Sequence, residues 1–262
     1  MTETPDFTEA PSLGGLTLHV RHAFFGRRGG VSGGPFESLN CAYGSGDDLD
    51  HVMTNRARAC AVLGAPPEKL VTVNQVHSAR AVLAGDGPFP AGARPEADAI
   101  VSSTPGLALA ILTADCAPIL ICDPAAGVAA AVHAGWRGAV DGVVEAATEA
   151  MVGLGADPSR MIAAIGPCLS QTSFEVGPDL VDRVLDISPW AETMFEPGDG
   201  DRSHFDLKKY LAGRMTRLGM SRVDALADDT LAEPDRYFSH RGAQKRGEPT
   251  AGRNLSVIML LP

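Results

Sequence analysis

The stretch 107–124, LALAILTADCAPILICDP, joins two apolar runs, Leu107–Cys116 and Pro118–Asp123, with an acid and a thiol at their junction. Each run has the length and composition of a strand, and the second is closed by Pro124 and Gly127. The neighbouring segments repeat the pattern. AIVSS (99–103) reads as another strand, and GVAAAVHAGWRG (127–138) as a buried strand that ends in a glycine turn. Further out, Leu16–Phe25, LVTVNQVHS (70–78), MIAAIGP (161–167) and NLSVIMLL (254–261) also read as strands. Helical patterns lie between them, at Asp50–Leu63, AVDGVVEAATEAMVGLG (139–155), GPDLVDRVLD (177–186) and DLKKYLAGRMTRLGM (206–220). In the second of these, Val140, Val143, Val144, Ala147, Met151 and Leu154 form one stripe, opposite Glu145 and Glu149. The order of elements suits an α/β (α+β) sandwich with sheets inside and helices outside.

Composition narrows the function classes. The chain has 262 residues, 45% of them hydrophobic and 21% charged, and no apolar run long enough to span a bilayer. No membrane partner is expected. The opening, MTETPDFTEAPSLGG, is acidic and lacks the basic start and apolar segment of an export signal. Residues 1–15 therefore read as a flexible lead, 16–262 as one domain, and the location as cytoplasmic. Five scattered cysteines, Cys41, Cys60, Cys116, Cys122 and Cys168, do not form a disulfide framework. A formal charge of −10 argues against nucleic acid, whose backbone is bound by Lys and Arg. Two segments rich in Arg, His and Gly, RHAFFGRRGG (21–30) and YFSHRGAQKRGEPTAGRN (237–254), stand out against that charge as a possible anion pocket. Oligomeric state is open between a monomer and a small homo-oligomer.

The chemistry collects at predicted strand ends. Ala110, Leu112, Ala114 and Cys116 share one face of their run; Ala129, Ala131 and His133 share one face of theirs; and His77 closes LVTVNQVHS. Taken singly, a cysteine packs as a small hydrophobe and a histidine at a strand end is hydrogen-bonded structure. Taken together, they allow two readings. Cys116 with a histidine base and Asp115 as orienter is a thiol nucleophile set. Two histidines and a thiolate are also a three-ligand zinc set with one open position. The second histidine has a role only in the metal reading, although the spacing itself is not diagnostic.

Six blocks carry a resemblance that covers nearly the whole chain in order: FFGRRGGVSGGPFESLN, NQVHS, ADAIVSSTPGLALAILTADCAPILICDP, GVAAAVHAGWRGAVDGVV, IGPCLSQTSFEVG, and YFSHRG followed by GRNLSVIML. They resemble the laccase-domain, YfiH-type family, with TADC and HAGWRG as its most specific signals. The resemblance implies a single domain with central mixed sheets flanked by helices in an α-β-β-α arrangement. It also implies a metal site of His77, Cys116 and His133. Labels in that family include polyphenol oxidase, purine nucleoside phosphorylase with adenosine deaminase and methylthioadenosine phosphorylase activities, and peptidoglycan editing factor. A multicopper oxidase needs on the order of ten histidines. This chain has seven, so copper here can support at most a side activity.

Phosphorolysis of a purine nucleoside by phosphate, with zinc as cofactor, is the function the resemblance favours. An editing enzyme that cleaves an amino-acid linkage in a cell-wall precursor is the alternative. Arg27 and Arg137 are the expected phosphate contacts, and Asp115 is expected to orient a ligand or exchange a proton. Asn40, Glu175, His240 and Arg241 are expected to touch the substrate. Trp136 either stacks on a base or packs the core. The chain departs from the family pattern at Gly26, which stands where a hydroxyl residue usually precedes the arginine. It departs again at Asp229-Thr230 and at His240-Arg241-Gly242.

Overall fold

The computed structural model describes residues 4–90, 92–220 and 222–262. In chain order the elements begin with β1 (Phe7–Thr8), α1 (Pro11–Gly14), β2 (Val20–Phe25), α2 (Leu49–Leu63), β3 (Leu70–Val71), β4 (Ala81–Leu83), β5 (Ala99–Ser102), β6 (Ala108–Thr113), β7 (Ala117–Asp123) and β8 (Val128–Ala134). Then come α3 (Trp136–Asp141), α4 (Val143–Gly153), β9 (Ile162–Ile165), β10 (Glu175–Val176), α5 (Pro178–Ile187), β11 (Phe195–Pro197), β12 (Ser203–Phe205), α6 (Leu207–Arg217), β13 (Arg222–Ala225), α7 (His240–Lys245) and β14 (Asn254–Leu260). A five-stranded sheet runs β1-β2-β14-β6-β3, and a six-stranded sheet runs β13-β9-β7-β8-β5-β4. Both are mixed: β3 with β6, β4 with β5 and β9 with β13 pair parallel, while the central pairs are antiparallel. A small sheet, β10-β12-β11, stands apart.

The layers follow from side-chain alternation. On β7, Leu120 and Cys122 face one way and Ile119 and Ile121 the other, and all four are fully buried. A strand that is apolar on both faces must be covered on both. Leu120 and Cys122 join Phe24, Leu109, Ile111 and Ile258 in a core between the two large sheets. Ile119 and Ile121 pack with Val144 and Met151 of α4 and Tyr210 and Met215 of α6. Across the molecule, Ala59, Cys60 and Leu63 of α2 cover Ala108, Ala110 and Val257 of the five-stranded sheet. The result is the expected α-β-β-α sandwich.

Three local expectations change. The segment 139–155, read as one helix, is two, because Gly142 takes φ +103° and ends α3. Arg214 from α6 donates to the carbonyls of Ala139 and Val140 that the break leaves open. Leu16–Phe25 becomes strand only from Val20. The lead read as loose is packed. Phe7 pairs with Phe25, Ala10 and Leu13 are fully buried, and the Ala10 N–H donates to His22 Nε2 at 2.8 Å; residues 1–3 lie outside the described residues. Its acidic composition hid two apolar anchors.

His22 must stay neutral to accept that hydrogen bond, and burial pushes its pKa down to about 4. An unfolded histidine titrates near 6.5. The stability this neutral imidazole contributes is therefore present above about pH 6.5 and is lost as pH falls through about 4. Denaturant unfolding at pH 7 and pH 4.5 should show a loss of about 2 kcal/mol from this group. His22→Gln keeps an acceptor and does not titrate, so its loss over the same interval should be smaller. Equal losses in the two proteins would contradict the assignment.

Candidate metal centre

The junction that carries Cys116 is a crossing between sheets. β6 belongs to the five-stranded sheet and β7 to the six-stranded one, and residues 114–116 make the passage, with Asp115 at φ +86°. Cys116 therefore sits in a tight turn just past the strand. A second crossing, from β3 to β4, carries His77. LVTVNQVHS, expected to be strand throughout, is strand only at Leu70–Val71. Two side chains pull the rest out of β geometry. Gln75 caps β6 by donating to the Leu112 carbonyl at 2.7 Å and accepting from its N–H at 2.8 Å. The Asp98 carboxylate accepts from the backbone N–H groups of Val76, His77 and Ser78, at 3.3, 3.1 and 2.6 Å. His77 is left at φ +60°, exposed, on a loop whose amides are wrapped around one acid.

Asp98 also holds the third residue. His133, one position before the end of β8, is buried, and its Nδ1 lies 2.7 Å from Asp98 Oδ1. With Nδ1–H donating to the carboxylate, Nε2 is the nitrogen turned to the site. Burial opposes ionisation of Asp98, but hydrogen bonds from His133 and Ser78 bring its pKa to about 2. This ligand-orienting role was assigned to Asp115 from sequence. Asp115 instead accepts from Thr230 Oγ1 at 2.8 Å and from the Arg241 N–H at 2.6 Å, and braces the loops around 230 and 241.

The ligand atoms of His77, Cys116 and His133 lie within 4.8 Å of one another. The two rings stand edge to face, with centroids 4.8 Å apart, and Cys116 Sγ is 3.7 Å from His77 Nε2. Two ligands on one tetrahedral zinc, at bond lengths of about 2.1 and 2.3 Å, are separated by about 3.5 Å, so these residues fit that ion. Burial raises the Cys116 pKa, and the imidazoles of His133 and His77 outweigh it, drawing the thiol toward thiolate. The HAGWRG glycine keeps the space open. A Cβ on Gly135 would stand 2.8 Å from His77 Cδ2 and 3.1 Å from Cys116 Sγ. Among the described residues no other group of three or more His, Cys, Asp and Glu side chains is close enough to share an ion.

The three residues open on a cleft of about 410 Å³, also lined by Tyr43, Asn74, Arg94, Thr113, His240 and Arg253. Of the residues expected to contact substrate or phosphate, His240 lines this cleft. The other expected contacts do not. Arg27 donates to the carbonyls of Glu37 and Pro234 and stacks on Phe238, and Arg137 lies over the Trp136 ring. Glu175 and Arg241 line a separate depression, where Glu175 pairs with Arg202. Asn40 is fully buried and does not line the cleft, and its Oδ1 accepts from the N–H of Arg253, so it positions that arginine. Arg253 was not singled out from sequence, although it lies in the basic segment 237–254 that the composition marked. Its Nη1 donates to the carbonyls of Ala251 and Gly252, and Nε and Nη2 have no protein acceptor among the described residues. The hydroxyl of Thr113 is likewise buried without a partner.

This fold is that of a known class. Residues 21–261 match the family described as multi-copper polyphenol oxidoreductase laccase, and the chain belongs to that family. Among its relatives is a purine nucleoside phosphorylase of Deinococcus radiodurans, 43% identical over 252 residues that cover 95% of this chain and 93% of the relative. Another is the purine nucleoside phosphorylase Rv2149c of Mycobacterium tuberculosis, 39% identical over 247 residues, 94% of each chain. The crystal structure of Neisseria meningitidis protein NMB0706 superposes with a TM-score of 0.86 at 33% identity, covering 99% of this chain and 100% of that one.

Gly135→Ala tests the metal geometry without touching a ligand. Gly135 has φ −67°, which alanine adopts freely, so folding should be retained while the added methyl displaces His77 and Cys116. Zinc affinity, measured by competition with a chromophoric chelator, should fall by on the order of 10- to 100-fold. Unchanged affinity would show that these side chains do not meet at a metal.

Proposed function

We propose that this chain is a zinc-dependent purine nucleoside phosphorylase, acting on adenosine or inosine with phosphate to release free base and ribose 1-phosphate. The observation that carries the reading is the pairing, in one cleft, of a His-Cys-His metal site with an arginine whose outer edge has no protein acceptor. The names of the relatives support the same chemistry. His77, Cys116 and His133 would hold the zinc, and copper could replace it in vitro with weak phenol oxidation as the consequence. When bound, the metal supplies Lewis-acid polarisation of a substrate atom.

The protein's own groups account for the rest. Arg253 presents Nε and Nη2 as a fork for two phosphate oxygens, and Asn40 fixes the backbone beneath it. His240, at the start of α7, stands at the rim, where it can pass a proton to the departing purine. Thr113 Oγ1 and the Asn74 amide offer hydrogen bonds to the sugar or base. Asp115 keeps the His240 loop in place through the Arg241 N–H, which makes it a positioning residue. Methylthioadenosine fits the same scheme with a sulfur substituent at C5′. Deamination of adenosine, in which water adds at C6 and ammonia leaves, is a further activity of this cleft.

Zinc-loaded protein incubated with inosine or adenosine should release base and ribose 1-phosphate only when phosphate is present. Release of base without phosphate would overturn phosphorolysis, and no release at all would overturn the nucleoside reading. Arg253→Gln should raise the KM for phosphate by about tenfold or more at unchanged zinc content. Cys116→Ala should lose stoichiometric zinc together with activity. If that variant keeps its zinc and loses only turnover, Cys116 is a nucleophile and not a ligand.

A further inference from the structure

Beyond Tyr43 the metal cleft adjoins a second cavity of about 300 Å³, which no step above uses. Tyr43 and Arg94 line both spaces, and Arg56 lines the second. Arg56 projects from α2 and is only 7% exposed. Its Nε donates to the Cys41 carbonyl at 2.9 Å, and its Nη2 reaches Thr72 Oγ1 at 3.5 Å. No carboxylate of the described residues lies within 4.0 Å of Arg56 or of Arg94. Carbonyl and hydroxyl oxygens satisfy N–H groups without neutralising the charge. A guanidinium withdrawn from water in this way is destabilising unless an anion joins it.

The surroundings define that anion. The Arg56 guanidinium carbon lies 4.2 Å from the centre of the Tyr43 ring, and that of Arg94 lies 5.6 Å from it, so one ring holds both cations at the cavity wall. Two unpaired guanidinium groups on one cavity make a local positive field in a chain whose formal charge is −10. Planar, forked donors suit a phosphoryl group better than a single point acceptor does. The same two charges repel a metal cation, and Leu70 and Phe89 add apolar surface to the wall.

We infer that the cavity walled by Arg56, Tyr43 and Arg94 is a phosphoryl-binding subsite, separate from the Arg253 end of the metal cleft. Its occupant is either free inorganic phosphate or the phosphate ester of a nucleotide whose base reaches the cleft. Calorimetric titration of the zinc-loaded full chain with inorganic phosphate, adenosine 5′-monophosphate and adenosine separates these. Arg94→Gln, an exposed position, should weaken binding of at least one phosphate-bearing probe by about tenfold more than it weakens adenosine, since the loss follows the phosphoryl group. Loss confined to the nucleotide identifies an ester subsite, and loss of inorganic phosphate binding identifies a free-phosphate subsite. Arg56→Lys keeps the charge but not the fork and should weaken the same probe; if it does not fold, Arg94→Gln alone decides. The inference is overturned if neither phosphate-bearing probe binds the parent protein, or if both bind Arg94→Gln within about twofold of the parent. Binding is read without turnover, so a protein that binds these probes and performs no phosphorolysis refutes the proposed function and leaves the subsite standing.

Discussion

The buried carboxylate of Asp98 organises the functional end of this molecule. Its Oδ2 gathers the amides of Val76 and Ser78 and the Ser78 hydroxyl, and its Oδ1 takes the His77 amide and the ring of His133. One fully buried group thus sets the loop that carries one candidate ligand and the tautomer of another. An acid in this position is stable because five donors offset its desolvation. The sandwich supplies the frame: two crossings between the sheets bring His77 and Cys116 to the same rim, and β8 brings His133 up from the six-stranded sheet.

Much of this was legible in the chain itself. The alternating apolar runs on either side of TADC predicted the central strands, and the two-faced burial of β7 is what that pattern means in a layered fold. His77, Cys116 and His133 stood out because each followed an apolar run. The reason was only partly right: His77 is presented by a loop folded around an acid, and Cys116 by a turn between sheets. Neither geometry has a short-range signature, because the partner lies 21 residues away for His77. Asp98, the residue that matters most there, reads in sequence as a plain acid ahead of a strand.

The arginines show the opposite limit. Arg27 and Arg137 looked like anion contacts because glycine turns surrounded them, yet Arg27 donates to carbonyls and neither arginine lines the metal cleft. Arg94 and Arg56 carried no such flag, and Arg253 carried one only as a member of the basic segment 237–254. What distinguishes them is their place on the wall of the metal cleft or of the cavity that adjoins it, and that property exists only in three dimensions. Asn40, expected from sequence to touch substrate, is a buried amide that holds the backbone of Arg253, a task that demands its identity as strictly as a ligand contact would.

The central claim is that His77, Cys116 and His133 bind one ion together. X-ray absorption at the zinc edge of the zinc-loaded protein tests it most directly. A first shell of one sulfur at about 2.3 Å and two imidazole nitrogens at about 2.0–2.1 Å, completed by one lighter ligand, is the predicted result. A shell of nitrogen and oxygen with no sulfur contradicts it.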